Sequence, residues 1–552
     1  MFANLKHIYD SFSPKERRFF VGAGTIGVIS AIVLTALWVE GSTRVVAAEG
    51  GEFIEGVIGQ PAYVNPLLAT TEADKNLARL VFSSLTSLAE KVEASKDGRT
   101  WKVRLKERLT WHDGEKLTSD DVIFTVQKIQ DPETQSPLAV AWQGVLATRL
   151  SELELQFVLA NPYAFFSYNL DSLYVVPKHL LDDVAPPNWR LSEFNLQPVG
   201  SGAYAFASYK ARSDGFVETY RLAANPLYHN GRPFISEIVF RFFSQSEDLV
   251  KEFNAGRVDG LAGLPVSDLK QVERPHAMLS FQLPRYYAVF LNQSKNLALK
   301  ELEVRRALTF ATDTSRILAD ILQNRGAEVM SPIPSGAPYA ISKDRGESFS
   351  PELAKETLEG AGWKFVEEKG YREKAIKSST IPLELNLVVP QIGFLVQTAN
   401  ELRSMWERVG FKINVIAQSP EEVTNTIIKN RDYEMLLFGN ILGPSSDLFS
   451  FWHSSERFFP GLNLSIYSNK KVDSLIVSTR QNLAPDNRHE QFEELQSTII
   501  ADYPAVFLYS PDYLYLVPKG LQGIEAQHIA EPADRFRDAS LWYLKTARAF
   551  KS

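Results

Sequence analysis

Residues able to do chemistry crowd into one run, Trp111-His112-Asp113-Gly114-Glu115-Lys116-Leu117-Thr118-Ser119-Asp120-Asp121-Val122. His112 beside Asp113 offers the two parts of a general base and its orienting acid, the pair that proton-transfer catalysis requires. Adjacent residues in a turn seldom aim at one atom, and Gly114 marks a turn, so the pair is expected to serve the fold. His453, between Trp452 and Ser454, is the histidine best placed to meet a metal such as nickel, but one imidazole makes no site, and a packed or pocket-rim position is expected. The eight histidines are scattered, and none pairs locally at metal-ligand spacing. Gly-x-Ser-x-Gly, Gly-x4-Gly-Lys and His-Glu-x-x-His are missing, and there is no cysteine. The strong signatures of serine hydrolases, nucleoside triphosphatases, zinc peptidases and thiol enzymes are therefore absent. No catalytic residue, metal or cofactor is expected, and the chain reads as one that binds without transforming.

The elements that must position this run are legible. Trp101-Lys102-Val103-Arg104-Leu105 alternates apolar with basic residues, as a half-buried strand does. After the turn, Thr118 or Ser119 can cap a helix, and Asp120 and Asp121 place negative charge at its positive end. Val122, Phe124, Val126 and Ile129 supply its apolar face. Strand patterns at 52–59, 153–159, 203–209, 217–222, 237–243, 383–389 and 411–416 are interspersed with helical ones at 77–88, 246–253, 304–322, 351–360 and 396–409. Strand-like runs at 506–509 and 513–516 near the end of the sequence are expected to return to the part of the fold built by the opening strand.

The run at 111–122 does not stand alone. Pro198-Val199-Gly200-Ser201-Gly202-Ala203-Tyr204, Asn225-Pro226-Leu227-Tyr228 with Gly231-Arg232-Pro233, Ala255-Gly256-Arg257-Val258-Asp259, Val304-Arg305-Arg306-Ala307-Leu308, and Tyr467-Ser468-Asn469 with Val472-Asp473 follow it in order. Together they resemble the extracytoplasmic solute-binding proteins, family 5, which feed oligopeptide, dipeptide and nickel ABC importers, over residues 52 to 545. The resemblance implies an α/β, periplasmic-binding-protein-like fold of class II (cluster C), two-lobed with an extra inserted domain and preceded here by an N-terminal transmembrane helix. It also implies a ligand enclosed between lobes by hinge closure, and ABC permease subunits as partners.

Size and composition agree with several lobes. The chain has 552 residues, 45% hydrophobic and 23% charged, and at about 150 residues per domain it suggests three or so folding units. A net charge of −7 gives no electrostatic case for nucleic acid. Without cysteine the chain lacks the lipid-bearing residue that tethers many receptors of this kind, and residues 19–39 offer another tether. They are uncharged, near the ~20 residues needed to span a bilayer, and follow Lys15, Arg17 and Arg18. A cleaved signal is the competing reading, with Val46-Ala47-Ala48 as the processing site. The expected division is a cytoplasmic basic N-terminus at 1–18, an anchor at 19–39, a linker at 40–51, lobe I from 52–92, 198–285 and 505–545, an inserted domain at 93–197, and lobe II at 286–504. The body is expected to be a monomer outside the cell membrane.

Contacts to an oligopeptide or other small solute are expected from Tyr63, Asn65, Tyr286, Tyr287, Asn292, Asn440, Ser445, Ser446, Asp447 and Trp452. The resemblance places an acid near the ligand amine, usually within Asp-Pro-Asp, where this chain reads Ser445-Ser446-Asp447. Serine offers neutral hydrogen bonds where a carboxylate offers charge-assisted ones, so Asp447 is a displaced candidate anchor, and a neutral, amidated or non-peptide ligand stays open. Two rivals remain: an anchored peptide or envelope hydrolase, and a receptor fold that binds another envelope protein.

Overall fold

A computed structural model describes residues 11–341, 349–376, 379–525 and 528–550. Of the basic segment expected at 1–18, residues 1–10 lie outside the described residues. Two large sheets dominate. The first has seven strands in the order Ala277–Phe281, Tyr513–Val517, Gly260–Ala262, Glu52–Ile58, Glu237–Phe243, Val217–Ala224, Tyr204–Ala211. The second has six: Gly326–Glu328, Ala505–Pro511, Arg285–Leu291, Met435–Ile441, Glu384–Pro390, Lys412–Gln418.

Alternation decides the packing of the second sheet. Val289 and Leu291 join Leu387, Leu402 and Trp406 on one face, while Tyr286, Ala288 and Phe290 join Leu436 and Trp452 on the other. The parallel pair Glu384–Pro390 and Lys412–Gln418 is bridged by the helix Gly393–Glu407, as parallel strands require.

The chain passes between sheets twice, at 282–284 and at Asp512, and the strands on either side of these crossings are paired neighbours. This corrects the boundary expected at 505: strand Ala505–Pro511 pairs with Arg285–Leu291 in the second sheet, and only Tyr513–Val517 returns to the first. The expected single helix over 304–322 is two, Leu302–Phe310 and Thr314–Leu322, because the Asp313 carboxylate caps the second by accepting from the Arg316 N–H at 3.0 Å.

Four strands, Ala89–Ala94, Thr100–Leu105, Glu154–Val158 and Leu146–Arg149, form a smaller sheet. It begins before the boundary expected at 93 and shares one core with the first sheet: Trp101, Phe157 and Leu170 cluster with Phe53, Leu77 and Tyr204. The inserted region's apolar residues are thus continuous with those under the first sheet.

Helix Pro14–Ser42 has 29 residues and is long and apolar enough to cross a membrane, with none of its most apolar stretch buried. The linker expected at 40–51 carries regular structure. Its residues 43–48 form strand Thr43–Ala48, antiparallel to Lys545–Phe550, because the C-terminal strand satisfies their backbone groups.

Candidate functional site

The recurring motifs assemble one another. Asp121 and Thr118 form a reciprocal capping box at helix Ser119–Gln130. The His112 ring accepts from Gly200 N–H at 3.2 Å through Nδ1 and donates from Nε2 to the Gly202 carbonyl at 3.1 Å. Burial holds this imidazole below its usual range, against the pull of Gly202 and Asp113. His112 therefore fastens the 198–204 loop as a neutral ring. The two glycines are needed there, since a Cβ on Gly200 would lie 1.9 Å from Val81 O and one on Gly202 2.4 Å from Leu80 O. His453 is also structural: it stacks on Phe449 at 4.4 Å, with Nδ1 2.8 Å from Ser455 Oγ. Among the described residues no group of three acids or histidines is arranged to hold a metal.

A cavity of about 300 Å3 opens where the chain crosses between sheets. Gln282, Leu283 and Pro284 form its back; Ser335–Pro338 and Pro444 come from the second lobe. Tyr168 and Asp171 come from the inserted region, and His528–Ala530, Asp534 and Arg537 from the segment that closes the first lobe. Gly336, at φ +86°, brings its backbone so near that a Cβ would stand 2.3 Å from Gln282 Oε1 and 2.9 Å from the His528 ring. Arg537 and Asp171 are paired but reachable, while Asp534 is buried behind them. Arg537 lies 3.1 Å from Asp171 and 3.6 Å from Asp534, with half its side chain exposed. Asp534 is also held by Arg79 at 2.8 Å and by the backbone N–H groups of Ala530 and Glu531. Apolar walls with one half-exposed cation, Arg537, and one accessible acid, Asp171, can orient a small molecule bearing both charge signs. A larger cavity, about 730 Å3, lies among Thr309–Ser315, Glu328–Met330 and Ser497–Tyr503. All its walls belong to the second lobe, whereas the smaller cavity is built from every part that lobe motion would rearrange.

The ten expected contact residues lie elsewhere. Tyr286, Asn440 and Trp452 are brought together inside the second lobe, where Asn440 Nδ2 donates to the Tyr286 hydroxyl at 3.0 Å and Trp452 packs against Phe290, Tyr467 and Phe507. Asn292 is fully buried and donates to Arg431 O at 3.3 Å. Tyr287 packs edge-on against Phe394. Asn65 is buried in the first lobe, its Oδ1 accepting from Leu67 N–H at 3.1 Å, and Tyr63 stands beside it under the Arg190 guanidinium at 5.2 Å.

Ser445, Ser446 and Asp447 follow Pro444 of the cavity wall. Ser446 is fully buried at φ +54°, and Ser445 Oγ accepts from Asp447 N–H at 3.3 Å. The Asp447 carboxylate is already engaged: the Tyr163 hydroxyl donates to it at 3.0 Å and Arg480 Nε lies 3.1 Å away. Burial and Asp447 hold the Tyr163 phenol well above its usual range, keeping it a donor. Arg480 lies over the rings of Tyr163 and Phe449, and its carbonyl accepts from Ala164 N–H at 2.7 Å. A ligand amine at Asp447 would have to displace the chain's own arginine. Sequence reasoning missed Asp171, His528 and Arg537, whose signal is weak; the Pro/Gly-rich Pro332-Ile333-Pro334-Ser335-Gly336-Ala337-Pro338 was the available clue to a close-packed loop.

Comparison with known proteins follows the same lines. The family model for bacterial extracellular solute-binding proteins, family 5, matches residues 86–458. Oligopeptide-binding protein AppA of Bacillus subtilis is 26% identical over 495 residues, covering 86% of this chain and 89% of the relative. The crystal structure of the ABC transporter substrate-binding protein CtaP from Listeria monocytogenes superposes with a TM-score of 0.78 at 24% identity, covering 90% of this chain and 99% of that one. NikZ from Campylobacter jejuni, solved with Ni(L-His), gives a TM-score of 0.70 at 24% identity, covering 89% and 99%.

Proposed function

The chain belongs to the bacterial extracellular solute-binding proteins of family 5, and from that premise we propose that it is the substrate-binding subunit of an ABC importer. It takes oligopeptides or similar small solutes between its two lobes and delivers them to a permease. The observation that carries this reading is the cavity at the double crossing, walled by both lobes and the inserted region. At about 300 Å3 it sits at the lower end of ligand pockets, so in this arrangement it suits a short zwitterionic solute, and a longer peptide requires the lobes to part. Arg537 is the proposed anchor for a ligand carboxylate. Asp447, with Ser445, is the proposed contact that a ligand amine gains only by competing with Arg480. Binding without covalent chemistry fits a family of binding proteins, so hydrolysis is not part of the reading.

Helix Pro14–Ser42 supports a body held at the outer face of the cell membrane by a single pass. Its uncharged stretch spans about 31 Å at ~1.5 Å per residue, matching a hydrocarbon core of about 30 Å.

Mass spectrometry of small molecules released from gently purified protein, followed by calorimetric titration of those found, tests the reading. Arg537→Gln is expected to weaken carboxylate-bearing ligands about 10- to 100-fold and leave neutral ones unchanged. Turnover of any bound peptide would overturn it in favour of a hydrolase.

A further inference from the structure

The segment between helix and body contains a feature that solute capture does not use. Helix Pro14–Ser42 runs without a break into strand Thr43–Ala48, and that strand pairs at every residue with Lys545–Phe550, from Thr43 opposite Phe550 to Ala48 opposite Lys545. At its body end the ribbon is rooted in the first lobe. Gly50 N–H donates to Phe234 O at 2.7 Å, and Trp542, just before the C-terminal strand, is fully buried against Phe53 and Phe536. At its other end the Phe550 ring meets Trp38, the last aromatic of the apolar helix, at 6.1 Å.

A two-stranded ribbon alone is marginal in water, and this one leaves Val45 and Phe550 largely exposed, beside an equally exposed Trp38. It also displays Arg44, Lys545 and Arg548, all exposed. Among the described residues Arg548 donates to Thr43 Oγ1 and none of the three has an acidic partner, while the nearby Glu49 is taken up by Arg232 at 3.3 Å. An amphipathic tryptophan, an apolar ring and the two guanidinium groups of Arg44 and Arg548 beside the end of an apolar helix match the boundary layer of a bilayer, where ring bodies meet acyl chains and guanidinium groups meet phosphates.

We propose that the helix end of this ribbon is a membrane-surface contact: Trp38, Val45 and Phe550 settle at the acyl boundary, while Arg44 and Arg548 bind phospholipid headgroup phosphates. Strand Lys545–Phe550 thereby reaches back to the membrane and holds the first lobe at a fixed attitude to it. This rests on the reading that helix Pro14–Ser42 is an uncleaved anchor.

The chain has no cysteine, so a single nitroxide can be placed at the exposed Ala547 through Ala547→Cys, with Ser474→Cys on the second lobe as the reference. Intact protein is reconstituted into phosphatidylcholine vesicles with and without phosphatidylglycerol, and collision with a water-soluble nickel chelate is read by paramagnetic resonance. Accessibility at 547 is expected to be several-fold below that at 474, lower still with phosphatidylglycerol, and restored by the double reversal R44E/R548E and by high salt. Near-ultraviolet circular dichroism of the double variant checks that the body is folded. Equal accessibility at the two positions, or protection untouched by charge reversal, overturns the proposal, as does protection that appears only when a permease is co-reconstituted. The intact mass of the membrane-extracted chain separates the two readings. A chain beginning after Ala48 overturns the anchor and the ribbon together, whereas an intact chain with an exposed label overturns the ribbon alone.

Discussion

Arg535 and Arg480 are both arginines set among carboxylates and aromatic rings, yet one is sealed inside a lobe and the other sits on a seam. Arg535 is wholly buried, donating to Glu55 at 2.9 Å, Asn76 at 3.1 Å and the Pro532 carbonyl at 2.8 Å, with Phe536 4.4 Å from its guanidinium. Burial disfavours its charge, but Tyr513, Glu55 and Glu72 facing it hold it above the ordinary arginine range. Its partners come from strand Glu52–Ile58, helix Glu72–Val81 and the 532–536 turn, all within the first lobe. Arg480 keeps a third of its side chain in water, and its Nε approaches Asp447 at 3.1 Å without hydrogen-bond alignment. Its ring partners come from two bodies, Tyr163 of the inserted region and Phe449 of the second lobe. The same chemistry makes a frame where every partner moves together, and a separable joint where the partners belong to different bodies and water can replace them.

Breaking the frame should cost most. Arg535→Leu leaves Glu55 buried without its counter-ion, and unfolding by urea should show a loss of about 3–5 kcal/mol. The double substitution Arg535→Leu with Glu55→Leu should recover much of it, because no uncompensated charge then remains. A loss below about 1 kcal/mol for the single variant would remove the distinction between frame and joint.

A second, smaller effect lies where the first lobe meets the inserted sheet. His229, 2.9 Å from Ser87 Oγ, is lowered to about 4 by burial and by Lys106. A histidine held neutral in the folded chain contributes stability that is present above its unfolded value of 6.5 and lost as pH falls through about 4. Denaturation across that window should show a decline of at most about 3 kcal/mol, and His229→Gln should flatten it. A pH-independent profile in the parent would contradict the assignment.

The joint should give the smallest change in stability and the largest in lobe position. Arg480→Ala is expected to cost about 1 kcal/mol or less, while the distance between spin labels on the two lobes lengthens in the absence of ligand. An unchanged distance distribution would mean that the ring of Phe165, buried against Tyr339 and Phe492, the Tyr163–Asp447 hydrogen bond and the Ala164–Arg480 backbone hydrogen bond hold the seam without the guanidinium.

Much of the frame was readable from the chain because it depends on local patterns. The alternation at 101–105 appears as strand Thr100–Leu105, and Thr118 caps the helix it precedes. The runs at 506–509 and 513–516 are indistinguishable in kind, both built of aliphatic and aromatic residues, and only strand pairing shows that they enter different sheets. The cavity was least legible. Arg535 and Arg537 stand two residues apart, one sealed and one half in water, and nothing local separates them. Tyr286 and Asn440 lie opposite one another on paired strands, so their polar tips satisfy each other inside the lobe.

The crossings at 282–284 and Asp512 run side by side. One flexible strand would let the second lobe swivel and twist; two pinned in parallel leave a single axis of rotation, like a door on two pins. A guest would then leave by one route, and its residence time would report a single angular coordinate. Lengthening either crossing by a few glycines would add a torsional freedom that adjacent strands now deny.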